Sequence, residues 1–234
     1  MNINKIIIIQ IQKYLKLFIF TLIIIISSCS PIYVPTSINT PLFEEAGEVQ
    51  FSGYTGTHQL QARIAYTPVN HIGLMFNTAF NNHRYLDWFY NDKSTFFELG
   101  IGYYSKLSEN FVFETYGGYG KGTMQYSDYY DQIEIYDVQK IFLTPAVGFV
   151  SEYLDVGFSL RYLNYTSFND SENLNSDFIE PCMTLKAGVD NIKLISDFGV
   201  SLNLGNNIKV LNWPIFFNFG AQLSLFKNKK FHIP

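Results

Sequence analysis

The stretch "LDVGFSLRY", residues 154–162, alternates between large apolar side chains and small or polar ones. A period of two residues is typical of a β-strand, because successive side chains of a strand point to opposite faces of its sheet. One face of this strand would carry Leu154, Val156, Phe158, Leu160 and Tyr162, and the other Asp155, Gly157, Ser159 and Arg161. The stretch therefore predicts a strand with one apolar face and one face of glycine, hydroxyl and charge.

The same alternation recurs along most of the chain after Gly47. It predicts strands near residues 47–55, 58–68, 71–82, 94–106, 111–125, 138–151, 153–167, 178–189, 192–203 and 214–227. No stretch has a convincing helical period. The fold class predicted is all-β, an antiparallel up-and-down transmembrane barrel of about ten strands. Eight strands is the alternative if the first pair is irregular.

The connections between these segments alternate in length. Residues 67–70, 106–110, 151–154 and 189–192 form tight turns, whereas most of the intervening connections are longer. Short turns at one end and long loops at the other are typical of outer-membrane barrels, in which the short turns are periplasmic. Both ends of the chain are then expected on the periplasmic side.

The composition of the two faces separates a membrane barrel from a soluble one. A soluble, lipocalin-like barrel needs large apolar residues inside, and glycine with ionised groups would fill that core badly. In a membrane barrel the apolar face meets lipid and the polar face lies inside. The alternation therefore favours the membrane barrel, and a periplasmic lipocalin-like barrel that binds an apolar ligand remains the alternative.

The N-terminal region has the pattern of a secretory signal. Lys5, Lys13 and Lys16 precede an apolar run over residues 17–26, which is short for a membrane-spanning helix. The sequence Ile-Ser-Ser-Cys that ends at Cys29 follows, and it resembles the lipobox of bacterial lipoproteins. That resemblance implies cleavage before Cys29 and a lipid on its thiol.

These signals divide the chain into four parts. Residues 1–28 are predicted to be a lipoprotein signal peptide, 29–46 a lipidated extended tether, 47–227 the barrel and 228–234 a periplasmic tail. The stretch "NFGAQLSLF", residues 218–226, resembles the C-terminal signal by which outer-membrane barrels are recognised by their insertion machinery. In contrast to that signal, a further tail follows it here.

Residues 29–77 are similar to the start of uncharacterised outer-membrane β-barrel lipoproteins of Bacteroidota. This resemblance supports a fold and a location, and it carries no activity. It implies the outer membrane of a Gram-negative bacterium, with the lipid anchor on the periplasmic side. The expected partners are outer-membrane lipid, lipopolysaccharide and the insertion machinery.

Charged residues fall on the face that is predicted to line the lumen. Their signs balance, and neighbouring strands allow such residues to pair. A barrel of about ten strands is only slightly wider than one that side chains fill. We therefore expect a lumen largely plugged by charge pairs and a structural or surface-interaction role, with a narrow polar pore for small solutes as the alternative. The predicted network is Arg63, Glu98, Glu114, Lys140, Arg161, Glu180, Lys186 and Asp197.

Other classes of function have less support in the sequence. The net charge of -4 and the absence of a basic stripe argue against nucleic-acid binding. No Gly-x-Ser-x-Gly or histidine cluster is present, so neither an enzyme, a cofactor nor a metal site is expected. A bulky aromatic loop remains as a candidate outer surface for an unknown ligand, and its residues are Tyr85, Trp88, Phe89 and Tyr90.

Overall fold

The computed structural model describes residues 33–56, 59–85, 90–127, 133–169, 173–189, 191–205 and 214–225, without the side chains of 82–85, 90–92, 126 and 127. Its strands are β1 (Val49–Gly56), β2 (Leu60–Val69), β3 (Ile72–Tyr85), β4 (Tyr90–Lys106), β5 (Phe111–Ser127), β6 (Ile133–Phe149), β7 (Leu154–Phe168), β8 (Asn173–Val189), β9 (Ile192–Val200), β10 (Leu202–Asn203) and β11 (Ile215–Leu225). Within these ranges, no helix is long and apolar enough to cross a membrane.

The strands close into a ring. Each of β1 to β8 pairs antiparallel with the next strand in sequence, β9 pairs with β8 and β11, and β11 pairs with β1. The two-residue β10 continues the line of β9 after Ser201 and pairs with β8. The all-β, antiparallel up-and-down barrel of ten strands predicted from the alternation is confirmed.

The wall of the barrel is higher on one side than on the other. Strands β3 to β8 have 14 to 17 residues, whereas β1, β2, β9 and β11 have 8 to 11. A tilted strand of about 9–11 residues crosses a bilayer. The short strands are therefore just long enough to span, and the tall strands rise beyond that height at the end that carries the long loops.

The outer face of the tall strands changes character with height. On β7 the outward side chains are apolar from Leu154 to Tyr162 and polar at Asn164 and Thr166. On β8 they are polar at Asn173, Asn175 and Asp177 and apolar from Ile179 to Val189. The apolar parts form a belt of about the height that a bilayer requires.

A polar ladder marks the upper border of this belt. The Tyr162 hydroxyl donates to Asp177 over 2.9 Å, and the Asn164 amide donates to Asp177 and Asn175. Above the border the interior becomes apolar, with Leu163, Tyr165 and further large side chains buried. On β7 and β8 the outer face therefore becomes polar where the wall leaves the apolar belt, as expected if the wall continues into water, whereas on β6 Ile133 and Ile135 stay exposed at this end.

The seam between the first and last strands depends on a glycine. A Cβ on Gly220 of β11 would lie 2.0 Å from the carbonyl oxygen of Gly53 in β1. We expect Gly220→Ala to force these strands apart and to lower the free energy of unfolding by about 1–3 kcal/mol. The measurement is the urea midpoint of the gel-mobility difference between folded and boiled protein.

Gly53→Ala is the matched control for this prediction. Gly53 lies on the same seam, but a Cβ there would meet no atom within 4 Å. We expect it to change stability by less than about 0.5 kcal/mol. Equal midpoints for the two variants would show that the seam tolerates a side chain at Gly220.

Candidate functional site

The lumen contains the segment of residues 33–46, which has no helix or extended strand of its own. The sequence predicts an extended tether here, between the lipid and the barrel. Most of the side chains of these residues are buried, including Tyr33, Ile38, Leu42 and Phe43. Their hydrogen-bond partners come from β1, β2, β3, β4, β5, β7, β8 and β9. We call residues 33–46 the luminal segment.

All eight residues of the predicted charge network are buried in the lumen. The register places Arg161 directly opposite Glu180, and the guanidinium Nε donates to the carboxylate over 2.6 Å. The other ion pairs within this set are Arg63 with Asp197 at 3.3 Å and Lys140 with Glu98 at 3.4 Å. Burial of so many charges requires partners for each, because an unpaired buried charge is costly.

The luminal segment completes the pairing around Arg161. The guanidinium donates to the Thr36 carbonyl oxygen over 2.8 Å and to its hydroxyl over 3.1 Å. That hydroxyl in turn donates to Glu98 over 3.0 Å. Thr36 therefore links a cation of β7 to an anion of β4 that the ring alone keeps apart.

A second junction forms around Asp197. Its carboxylate accepts hydrogen bonds from Thr184, from Arg63 and from the hydroxyl of Ser37 in the luminal segment. Arg63 also donates to the Ile38 carbonyl oxygen over 2.9 Å, and its guanidinium lies 4.0 Å from the centre of the Tyr54 ring. Strands β2, β8 and β9 are thus joined directly at Asp197, and the luminal segment bonds to the same carboxylate.

The two remaining predicted charges contact the luminal segment near the short turns. The Lys186 ammonium donates to the Pro41 carbonyl oxygen over 2.8 Å, and Glu114 accepts from the Leu42 backbone N–H over 2.9 Å. Leu42 has a φ of 58°, which is unusual for a residue with a branched side chain. The Glu114 contact and the burial of Leu42 offset the cost of this conformation.

Aromatic side chains surround the other end of the luminal segment. The Tyr33 ring lies 4.5 Å from Phe178 and 4.9 Å from Tyr165, measured between ring centres. Its hydroxyl donates to Glu180 over 2.8 Å. The segment is therefore held by apolar contacts and by hydrogen bonds at the same level of the barrel.

Two features of this site are absent from the sequence-based prediction. The first is the ion pair of Lys193 with Asp155 at 2.7 Å, which joins β9 to β7. The second is the luminal segment itself. The signal that marks it is the lack of any charged residue over 30–43, combined with apolar side chains. Such a composition is more typical of a buried segment than of a solvated tether.

Some of the predicted sites lie outside the described residues. These are the lipidation site Cys29 and the loop residues Trp88 and Phe89; for Tyr85 and Tyr90 only the backbone is described, where the two residues pair. In the described part of the chain, no group of three or more His, Cys, Asp or Glu residues is placed to hold a metal ion.

No protein-family model and no curated protein matches the chain. Among solved structures, the translocator domain of the autotransporter NalP from Neisseria meningitidis aligns with 13% identity and a TM-score of 0.45 over 76% of this chain and 85% of that one. The KdgM porin aligns with 14% identity and a TM-score of 0.40, covering 76% and 99%. Ail of Yersinia pestis has 10% identity and a TM-score of 0.38, covering 77% and 99%.

Proposed function

We propose that the chain is an outer-membrane β-barrel lipoprotein whose lumen is closed by its own luminal segment. In this proposal Cys29 carries the lipid, and the barrel has a structural or surface-interaction role. The apolar belt supports a place in a membrane, since large side chains such as Ile101 and Phe158 point outward. Barrels of this closed, antiparallel kind with short turns at one end are typical of the bacterial outer membrane.

The observation that carries the closed lumen is the contact of the luminal segment with eight strands. Through Thr36 it bonds to Glu98 of β4 and through Ser37 to Asp197 of β9, and these two strands lie on opposite sides of the ring. A water-filled pore needs these charges free to face solvent, whereas here they are directed at the segment. A narrow pore for small solutes is therefore the weaker candidate.

The outward belt also supports the membrane barrel over a lipocalin-like one. A soluble barrel would expose this belt to water, and contiguous apolar patches of such extent are rare on soluble proteins. Its interior at the height of the belt is lined by Arg63, Glu98 and Asp197, which suit an apolar ligand badly. The proposal accordingly places no apolar ligand in the lumen.

Planar-bilayer recording of the full chain tests the closed lumen. We expect no stable conductance steps from the unmodified protein, because the luminal segment fills the section at which ions would cross. Replacement of residues 33–42 by a Gly-Ser stretch of equal length removes the buried side chains and the fixed carbonyl oxygens. We expect that variant to conduct in discrete steps.

A Gly-Ser replacement of the short turn at residues 107–110 is the control, since these residues are exposed. This control variant should show no stable conductance steps, like the unmodified protein. Stable steps from the unmodified protein, reduced when Arg161 or Glu180 is neutralised, would contradict the proposal and establish the pore.

A further inference from the structure

The luminal segment has a definite direction through the barrel. Leu42 packs with Val112 and Val150, which lie beside the short turns that follow β4 and β6. Tyr33 contacts Tyr165 and Phe178, which lie in the upper parts of β7 and β8 toward the long loops. The chain therefore runs from the long-loop end at Tyr33 to the short-turn end at Leu42, and then enters β1 at Val49.

The height of Tyr33 follows from the strand that it touches. Glu180, which accepts a hydrogen bond from the Tyr33 hydroxyl, lies nine residues along β8 from Val189 at the short-turn end. At ~3.3 Å per residue and a strand tilt of about 40°, this is about 23 Å along the barrel axis. The four peptide units from Cys29 to Tyr33 reach at most about 14 Å. They are too short to return Cys29 to the short-turn end.

The barrel wall beside the entry of the luminal segment is formed by short strands. The side-chain amide of Gln59 donates to the carbonyl oxygen of Val34 over 3.3 Å. Gln59 lies in the connection between β1 and β2, the two adjacent short strands, and the neighbouring Leu60 is exposed on the outer face. The rim of the barrel at Gln59 lies at the edge of the apolar belt. A chain that leaves the lumen over this rim therefore comes into direct contact with lipid.

We propose that the chain enters the barrel from the long-loop end, so that Cys29 and its lipid lie in the leaflet that the long loops face. This extends the proposed function, because it requires a barrel that spans the outer membrane and a lipid on Cys29. The sequence alone predicts the anchor on the opposite, periplasmic side. The path of the luminal segment reverses that expectation and makes the protein a surface-anchored lipoprotein whose own N-terminal segment threads the barrel.

Cysteine labelling of intact cells with a membrane-impermeant maleimide tests the proposal. The reporter is Ser30→Cys in the full chain, and the background is low because Cys182 is buried and the proposed lipid would block Cys29. Asn173→Cys reports the long-loop end and Glu109→Cys the short-turn end, since both positions are exposed. We expect Ser30→Cys and Asn173→Cys to react in intact cells, and Glu109→Cys to react only after permeabilisation.

Two results would overturn the inference, and they are distinguishable. If Asn173→Cys reacts in intact cells but Ser30→Cys requires permeabilisation or unfolding, the barrel spans as proposed and the direction of entry is wrong. If Asn173→Cys also requires permeabilisation, the outer-membrane location fails and the inference fails with it. Incorporation of alkyne-palmitate that is lost in Cys29→Ala reports the lipid separately from the path of the chain.

Discussion

Replacement of Arg161 by Met is expected to lower the free energy of unfolding by about 3–5 kcal/mol. The guanidinium donates to Glu180 and to both oxygens of Thr36, and all of these groups are buried. Its loss leaves an uncompensated anion and an unsatisfied carbonyl in a region that water does not reach. The measurement is the urea midpoint of heat-modifiable gel mobility in vesicles, because a folded barrel migrates differently until it is boiled.

The control for this prediction is Lys121→Met, which removes a cation from the exposed outer face. It should change stability by less than about 0.5 kcal/mol. The double variant Arg161→Met with Glu180→Met should recover part of the loss, because two apolar side chains leave no buried charge unpaired. A single variant as stable as the control would mean that Arg161 is solvated in the lumen, and the closed-lumen proposal would then be lost.

The ring and its charges are predictable because their signals are local. The alternation in residues 154–162 fixes which side chains point inward, and antiparallel pairing across one connection then fixes which residues face each other. The opposition of Arg161 and Glu180 follows from these two rules and is present in the register. The same reasoning places Lys186 diagonal to Asp197, but the partner that Asp197 takes is Arg63.

The luminal segment is not predictable in this way because its partners are scattered along the chain. Thr36 contacts Glu98 and Arg161, which lie 62 and 125 residues away. Prolines prevent any regular period in the segment, so its sequence looks like a tether. Only closure of the ring creates a cavity of the right size, and burial of Tyr33 and Phe43 then becomes more favourable than exposure.

The change of polarity in the tall strands is visible in the sequence only once the membrane level is known. On β7, Leu163 and Tyr165 lie on the face that carries Ser159 and Arg161 lower down. A single face thus changes from polar to apolar along one strand. The reason is the medium outside: lipid selects an apolar exterior, whereas water allows a polar exterior and requires an apolar core.

A second large effect is expected at Phe158. The side chain is outward and exposed at the centre of the apolar part of β7, and its cross-strand neighbours are Val147 and Met183. We expect Phe158→Arg to destabilise the barrel in vesicles by about 2–4 kcal/mol, the cost of an arginine near the middle of a bilayer. The urea midpoint in vesicles is the measurement.

Thr166→Arg on the same strand is the matched control, since Thr166 is outward but lies above the polar ladder of Asn164. Its cost should be no more than about 1 kcal/mol, because an arginine near or beyond the interface stays solvated. Equal losses for the two variants would mean that the belt does not sit in lipid. The difference between them therefore measures the position of the membrane on the barrel.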